Sequence, residues 1–251
     1  MTTVVGGVTQ LYQGDLDLGR HAVERLGGED LGKDVLVEEL HYGAVAVAQY
    51  LHDVRPDTLV LVGAIERGRA PASVCRRRIR DLELTPAEIQ SSVGDAVTGY
   101  VTIDLALEVA SGFGALPSRT IAVEVEPVTT APCATLTPEA TDALEEALTL
   151  VRAEVRRAPL LRLADDLRPL VDPTRLEASA ALDALEGLLL ELRALDEDGR
   201  WGATFALRDR LRRLIAEGAT GQGMDHLDWG LWWALIEELD RLQSLEGSPD
   251  G

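Results

Sequence analysis

Short runs of apolar, β-branched residues alternate with helix-length amphipathic segments over residues 1–157 of this 251-residue chain. Strands separated by such segments form a mostly parallel sheet, and the connecting helices cover both of its faces. The alternation therefore predicts an α/β fold with a mostly parallel sheet. Sheets of this kind bind ligands beyond the carboxyl ends of their strands, so we expect chemistry in the loops after Val8, after Glu39 and after Gly63.

Hydrophobic periodicity and turn residues set the expected elements of this domain. We predict strands over 2–8, 34–40, 57–65, 72–79 and 119–128. We predict helices over 17–28, 43–54, 100–114 and 137–157. Thr137 is the expected N-cap of the last helix, because Pro138 follows it at the first helical position. We treat the segment 91–100 as a loop.

The strand signals stop after Arg157, and residues 158–251 carry successive helical patterns separated by short turns. We predict an all-α extension over 158–251, either a small bundle or helices laid over the first domain. Trp229, Trp232 and Trp233 share one helical stripe in this extension. The stripe is either part of a packed core or a face that docks a protein partner, since exposed tryptophan is a common interface anchor.

Charge balance and cysteine content exclude several classes of protein. With 43 Asp and Glu against 24 Lys and Arg, the net charge of −19 repels nucleic acids and anionic membrane surfaces. Two cysteines are too few for a disulfide framework, and no Cys/His cluster predicts a zinc site. The chain shows no signal-peptide pattern and no apolar stretch that could span a bilayer. We therefore expect a cytoplasmic protein with no nucleic-acid partner, no membrane insertion and no cofactor.

The glycine-rich turn after the first strand does not fit a nucleotide site. The stretch GGVTQLYQGDLDLG, residues 6–19, lacks the GxGxxG spacing of dinucleotide-binding folds, and the chain contains no Gly-Lys-Ser/Thr of a P-loop. Asp15 and Asp17 would also present like charge to a phosphate at the helix N-terminus. The structural alternative is that both carboxylates act as caps that stabilise the dipole of the first helix.

Four stretches follow one another in an order that matches a known family. They are residues 6–26, LHYGAVAVAQYL, DTLVLVGAIERGRAPASVCRRRI, and RTIAVEVEPVT followed by TLTPEATDALEEALTLV. In the first, Asp15 falls on the leading acid of an Asp-Asp/Glu-Gly-x-Gly loop and Gly19 on its closing glycine. The order resembles the endopeptidases that mature nickel-iron hydrogenases by clipping a C-terminal tail from the large subunit. This resemblance covers residues 1–157 and implies their α/β fold.

In active members of that family, three side chains bind the nickel site of the substrate, and none has a counterpart here. The acid of the first loop aligns with Leu16, the aspartate that ends the central strand with Gly63, and the histidine before the fourth helix with Thr98. Neither an isobutyl group nor a glycine can coordinate a metal through its side chain. A shifted alignment does not help, because residues 58–80 contain no aspartate and residues 53–225 contain no histidine.

Other donors at the same sheet edge could rebuild a metal site. Asp15, Asp17, Glu39, His41 and Glu66 offer hard oxygen ligands and one imidazole, which could hold a divalent cation. The alternative is that the acids of the first loop cap a helix, while Glu39 and His41 are solvated at the end of a strand.

Two further features could carry chemistry. Three arginines follow Cys75 and could lower its pKa, whereas Cys133 lies in a loop; neither thiol has a histidine nearby in sequence to act as a base. The stretches RGR and CRRRIR form a basic patch in an acidic protein. The patch either meets an acidic partner or balances nearby carboxylates.

These observations predict a hydrogenase-maturation-protease-like protein that has lost peptidase activity. It would act by binding a nickel-iron hydrogenase subunit or a maturation factor. One alternative is an active endopeptidase that uses the rebuilt metal site. The other is a structural or oligomerisation module that makes its contact through the Trp-rich helix.

Overall fold

The computed structural model describes residues 2–79, 82–97 and 99–167, and for 159–167 it describes the backbone alone. In this part of the chain the strands are β1 Thr3–Val8, β2 Val35–Leu40, β3 Thr58–Ala64, β4 Val74–Ile79 and β5 Arg119–Val125. The helices are α1 Leu18–Leu26, α2 Ala44–Val54, α3 Pro86–Ala96, α4 Ile103–Gly112 and α5 Pro138–Leu167. The rest of the predicted extension, including Trp229, Trp232 and Trp233, lies outside the described residues.

The strands form one sheet in the order β2-β1-β3-β5-β4. β2, β1, β3 and β5 run parallel to one another, whereas β4 runs antiparallel to its neighbour β5. The direction of β4 follows from its connection, because residues 65–73 join it to β3 without a helix and a parallel strand needs a crossover of about a dozen residues or more. The predicted mostly parallel sheet is confirmed.

Helices cover both faces of this sheet. On one face, Leu59 and Leu61 of β3 belong to a buried cluster that includes side chains of α2 and α4. On the other face, Val60 and Val62 pack with side chains of α1 and α5. Because β3 is buried on both faces, its sequence is continuously apolar and does not alternate.

One helix is absent from the sequence prediction. The expected loop over 91–100 is wrong, because its first residues, up to Ala96, belong to α3. Thr85 caps this helix: its Oγ1 accepts a hydrogen bond from the N–H of Glu88, and the Glu88 carboxylate accepts one from the N–H of Thr85. Pro86 occupies the first helical position. The stretch Thr-Pro-Ala-Glu is thus a local helix signal that the apolar pattern does not show.

The predicted end of the last helix at residue 157 is also wrong. α5 continues through Pro159 to Leu167, a length of 30 residues. An interior proline removes one backbone hydrogen bond. In a helix of this length the other backbone hydrogen bonds are enough to keep the residues on both sides of the proline helical. Despite this length, neither α5 nor any other helix in the described ranges is apolar enough to cross a membrane.

The carbonyl group of Val8 lies between two glycines at the carboxyl edge of the sheet. A Cβ atom at Gly19 would come within 2.2 Å of the Val8 oxygen, and a Cβ atom at Gly63 within 2.5 Å. Both separations are far below van der Waals contact, so another residue at either position would force the backbone to move. α1 therefore packs closely on β1, and position 63 near the end of β3 has no room for a side chain.

We expect Gly63→Ala to lower the free energy of unfolding by about 1–3 kcal/mol, because the new methyl group would collide with the Val8 carbonyl. Gly94→Ala is the matched control: this exposed glycine lies in α3, and a Cβ atom there would meet no atom within 4 Å, so the variant should be as stable as the parent or slightly more. Urea unfolding followed by circular dichroism measures both. Equal stability of the two variants would show that the backbone around Gly63 can move to accommodate a methyl group at little cost in free energy.

Candidate functional site

Two of the three ligand positions implied by the family resemblance lie at the carboxyl edge of the sheet. Leu16 is partly buried in a 3-10 turn, Gly14–Asp17, that leads into α1. Gly63 is buried near the end of β3 and packs on the Val8 carbonyl. Neither position offers a side-chain donor atom for a metal. Thr98, the third position, lies outside the described residues.

Asp15 joins two loops that are far apart in sequence. Its side chain is fully buried in the turn before α1. Its Oδ2 accepts hydrogen bonds from the N–H groups of Val128 and Thr129 and from the Thr137 hydroxyl, at 2.9–3.1 Å. Its Oδ1 accepts one from the Thr137 N–H at 2.8 Å. Both oxygens are therefore used to hold the segment that links β5 to α5.

Asp17 has a different set of partners, although it lies at the start of α1 as the capping alternative predicts. It occupies the N-cap position of α1, but its carboxylate makes no capping hydrogen bond. Instead, Oδ1 accepts from the Thr9 hydroxyl at 2.8 Å, and Oδ2 forms an ion pair with Arg20 at 2.6 Å. Thr9 comes directly after β1, so this buried carboxylate ties the strand end to the first turn of the helix. Asp15 likewise bonds across to another loop and does not cap α1.

The other three residues of the possible rebuilt site make no contact with Asp15 or Asp17 among the hydrogen bonds and ion pairs of the described residues. Glu39 lies near the end of β2 and His41 directly after the strand; the His41 Nδ1 is 3.0 Å from the Glu39 carboxylate, and His41 is about two-fifths exposed (41%). Glu66 is exposed in the loop between β3 and β4. Within the described ranges, no three His, Cys, Asp or Glu side chains are grouped so that they could hold one metal ion.

The two cysteines lie in different environments. Cys75 is partly buried on β4, where it is the register partner of Glu124 on β5. Cys133 is exposed in the loop between β5 and α5, and its contact with Thr135 lowers the pKa of the thiol. Among the described residues, neither cysteine contacts a histidine. Neither therefore has the adjacent base that activates a nucleophilic thiol.

A buried ion-pair cluster lies at the carboxyl ends of β3 and β5. Glu124 of β5 is fully buried and pairs with Arg67 at 2.8 Å, with Arg69 at 3.0 Å and with Arg77 at 2.9 Å. Arg67 also donates two hydrogen bonds, of 2.6 and 2.7 Å, to the carboxylate of Asp104 in the first turn of α4. We call these five residues the Glu124 cluster. Sequence reasoning found the basic patch but missed its buried centre, whose signal is a glutamate inside the apolar strand IAVEV.

The negative charge of Glu124 is stable over the ordinary pH range. Burial alone would raise the pKa of Glu124, but the guanidinium groups of Arg67 and Arg77 outweigh burial and lower it to about 2. The hydrogen bonds that Arg67 donates to Asp104 and Glu124 raise its own pKa. Arginines of the predicted basic patch thus balance carboxylates, which is one of the two outcomes that the sequence left open.

Exposed apolar side chains gather on the loops at the same edge. Leu11 and Tyr12 follow β1, Tyr42 follows β2 and Val128 follows β5, and they are 38–65% exposed. Tyr12 has a φ of 62°, a left-handed conformation that costs energy for a bulky residue. A backbone hydrogen bond from the Cys133 N–H to the Tyr12 carbonyl holds this strained turn. We call these four exposed side chains, on loops at the carboxyl edge of the sheet, the apolar surface.

Comparison with known proteins finds matches among solved structures. An endopeptidase from Escherichia coli is 26% identical, with a TM-score of 0.47, over 62% of this chain and 93% of its own. The hydrogenase maturating endopeptidase HybD from Escherichia coli is 25% identical, with a TM-score of 0.47, over 63% and 94%. The [NiFe] hydrogenase maturation protease HycI from Thermococcus kodakarensis is 19% identical, with a TM-score of 0.45, over 61% and 91%.

No protein-family model matches the chain, and no curated protein sequence matches it either. The predicted resemblance to hydrogenase maturation endopeptidases is nevertheless confirmed by the solved structures that do match. It is a resemblance over about three-fifths of the chain.

We expect Asp15→Ala to destabilise the chain by about 3 kcal/mol or more, because the substitution leaves three backbone N–H groups and one hydroxyl without their acceptor. Amide hydrogen exchange should speed up at Val128, Thr129 and Thr137. Asp53→Ala removes an exposed carboxylate from α2 and serves as the control. Unchanged exchange at the three amides would mean that the loop is held without Asp15.

Acid should unfold the chain partly through Glu124. Its pKa is lowered from an ordinary value of 4.5 to about 2 in the folded state, so the stability it contributes is complete above pH 4.5 and is lost as the pH falls towards 2. For a shift of this size the loss is on the order of 3 kcal/mol. Glu124→Gln should be less stable at neutral pH and should lose less stability across this window.

Glu66→Gln removes an exposed carboxylate near the same loop and controls for net charge. Thermal unfolding at a series of pH values measures all three proteins. A Glu124→Gln curve that keeps the parent's slope between pH 4.5 and 2 would assign the acid sensitivity to other carboxylates.

Proposed function

We propose that this chain is a binding protein with a hydrogenase-maturation-protease-like fold and without peptidase activity. Its partner would be a subunit of a nickel-iron hydrogenase or a maturation factor for that enzyme. One observation carries the proposal: the end of β3, where an active member has an aspartate, holds Gly63 packed on the Val8 carbonyl with no room for a side chain. Leu16, at the second described ligand position, adds no donor.

The alternative of an active endopeptidase with a rebuilt metal site has less support. Both oxygens of Asp15 accept hydrogen bonds from the β5–α5 segment, and Asp17 is engaged by Thr9 and Arg20. A cation that recruited either carboxylate would have to break buried contacts of about 1.5–3 kcal/mol each. A binding role requires no such rearrangement.

The apolar surface at the carboxyl edge supports the binding role. Leu11, Tyr12, Tyr42 and Val128 are exposed on neighbouring loops, and exposed aromatic side chains of this kind commonly anchor protein interfaces. The surface lies at the same edge as the positions of the lost ligands. A chain that has lost its ligands there can still bind the protein that carries the nickel site.

A cytoplasmic location is part of the proposal. The two cysteines are unpaired and one of them, Cys133, is exposed, which suits a reducing compartment. The role of the Trp stripe, either as core or as a second docking face, stays a prediction.

The test uses the full chain and a nickel-loaded precursor of a hydrogenase large subunit. We expect the two proteins to associate in calorimetry while the C-terminal tail stays uncut in mass spectrometry. Tyr12→Asn should weaken the association by about tenfold or more, because it removes an exposed anchor and asparagine tolerates the left-handed backbone. Phe113→Asn is the matched control, since Phe113 is an exposed aromatic residue after α4, at the opposite edge of the sheet.

Two results would contradict the proposal. Tail cleavage that is lost in Asp15→Ala or His41→Ala would establish an active enzyme with a rebuilt site. Absence of association with the large subunit and with every maturation factor of the same hydrogenase would remove the proposed partner.

A further inference from the structure

Three arginines from separate positions converge on one buried carboxylate at the carboxyl edge. Arg67 and Arg69 come from the loop between β3 and β4, and Arg77 comes from β4 itself. Arg77 donates to Oε1 of Glu124, and Arg69 donates to Oε2. Glu124 therefore fixes the guanidinium groups of Arg69 and Arg77 on its two oxygens, where flexible side chains would otherwise be mobile.

The arginines outnumber the carboxylates that they contact. Within the Glu124 cluster, three guanidinium groups face the carboxylates of Glu124 and Asp104. Glu126 lies beside them, but its oxygens accept hydrogen bonds from the backbone N–H groups of Arg67 and Gly68. The three guanidinium groups therefore share two carboxylates as hydrogen-bond acceptors, and Glu126 beside them balances charge without accepting from a guanidinium group.

Arg69 has a guanidinium nitrogen that donates no hydrogen bond within the Glu124 cluster. Its Nη2 donates to Glu124, whereas its Nη1 is buried and has no hydrogen-bond partner among the described residues. A buried N–H without a partner is costly, so a native structure that keeps one usually offers it to a ligand or a water molecule. The Arg69 side chain as a whole is about a quarter exposed (25%) and that of Arg77 two-fifths (40%), so a ligand can approach both residues from solvent, while Nη1 itself lies just beneath the surface.

The chemistry of these donors selects a particular kind of ligand. A guanidinium group presents paired N–H donors in a planar fork that matches the two oxygens of a carboxylate. The cluster lies at the same sheet edge as the exposed Leu11, Tyr12 and Val128, which a protein partner would cover. A carboxylate on an otherwise apolar polypeptide segment would fit both features.

We propose that Arg69 and Arg77 form a carboxylate-binding site for a protein partner, held in place by Glu124. The carboxylate is either the C-terminal group of a polypeptide or the side chain of an aspartate or glutamate. This inference rests on the proposed function in one respect: it takes the molecule that carries the carboxylate to be a protein. The site itself can be tested without any hydrogenase component.

The experiment titrates the full chain with three synthetic apolar peptides. The first has a free C-terminal carboxylate and no acidic side chain, the second has a C-terminal amide and one glutamate, and the third has a C-terminal amide and no acid. Nitrogen-edited NMR of the arginine Nε–H groups reports binding at Arg69 and Arg77. We expect one of the first two peptides to shift these signals and the third to leave them unchanged.

Variants separate the fork geometry from net charge. Arg69→Gln and Arg69→Lys should both weaken binding of the active peptide by about tenfold or more, because lysine keeps the charge but not the paired donors. Arg78→Gln is the matched control: Arg78 is an exposed arginine on the same strand, and its removal should leave binding unchanged. Circular dichroism checks that each variant is folded.

The outcomes are decisive for the site. If neither acidic peptide shifts the Arg69 and Arg77 signals, or if Arg78→Gln weakens binding as much as Arg69→Gln, the proposal is wrong. Peptide binding without association to a hydrogenase subunit would leave the site in place and remove the proposed function. Association without peptide binding would do the reverse.

Discussion

The carboxylate of Asp15 is the interaction on which the carboxyl edge of this sheet depends. It lies in the turn before α1, yet its four donors come from the β5–α5 segment, 113 to 122 residues later in the chain. Thr137, which supplies two of those donors, also accepts a hydrogen bond from the Ala140 N–H and so caps α5. Because a buried carboxylate is tolerated only when its oxygens are hydrogen-bonded, both loops and the start of α5 are ordered together. Together with the backbone hydrogen bond from Cys133 to Tyr12, this carboxylate holds the loops that carry Tyr12 and Val128.

Much of the fold could be predicted from the sequence, because the pattern of apolar residues follows directly from burial. The continuous apolar run of β3 and the helix-length segments between strands were enough to give a mostly parallel sheet covered on both faces. α3 was not predicted because its apolar pattern is weak. The sequence feature that marks its start is the cap at Thr85, which acts through local hydrogen bonds and not through burial. The antiparallel direction of β4 is likewise not a property of its residues; it follows from the short connection to β3.

The candidate site was less predictable, for a physical reason. The sequence shows that Gly63 has no side chain to offer a metal, but only the folded chain shows that the Val8 carbonyl lies where a Cβ atom at this position would be. Sequence likewise suggests that Asp15 and Asp17 cap a helix, since capping is a contact between neighbours in the chain. Their actual partners include a strand end and a distant loop, and no spacing rule reveals such contacts. The basic patch was visible in sequence, whereas its organising residue, Glu124, is a single acid in an apolar strand.

The run of three arginines on β4 has a consequence for how that strand finds its alignment. Arg76 pairs with Glu154 of α5 on one face of the sheet, and Arg77 pairs with Glu124 on the other. A slip of one residue along β5 would turn every side chain to the opposite face. In the direction that puts Arg77 in the place of Arg76, an arginine would still meet each carboxylate, whereas the opposite slip would put Cys75 opposite Glu154. The run of arginines therefore guards the alignment of β4 against a slip in one direction only, and the length of the 65–73 connection to β3 limits a slip in the other direction.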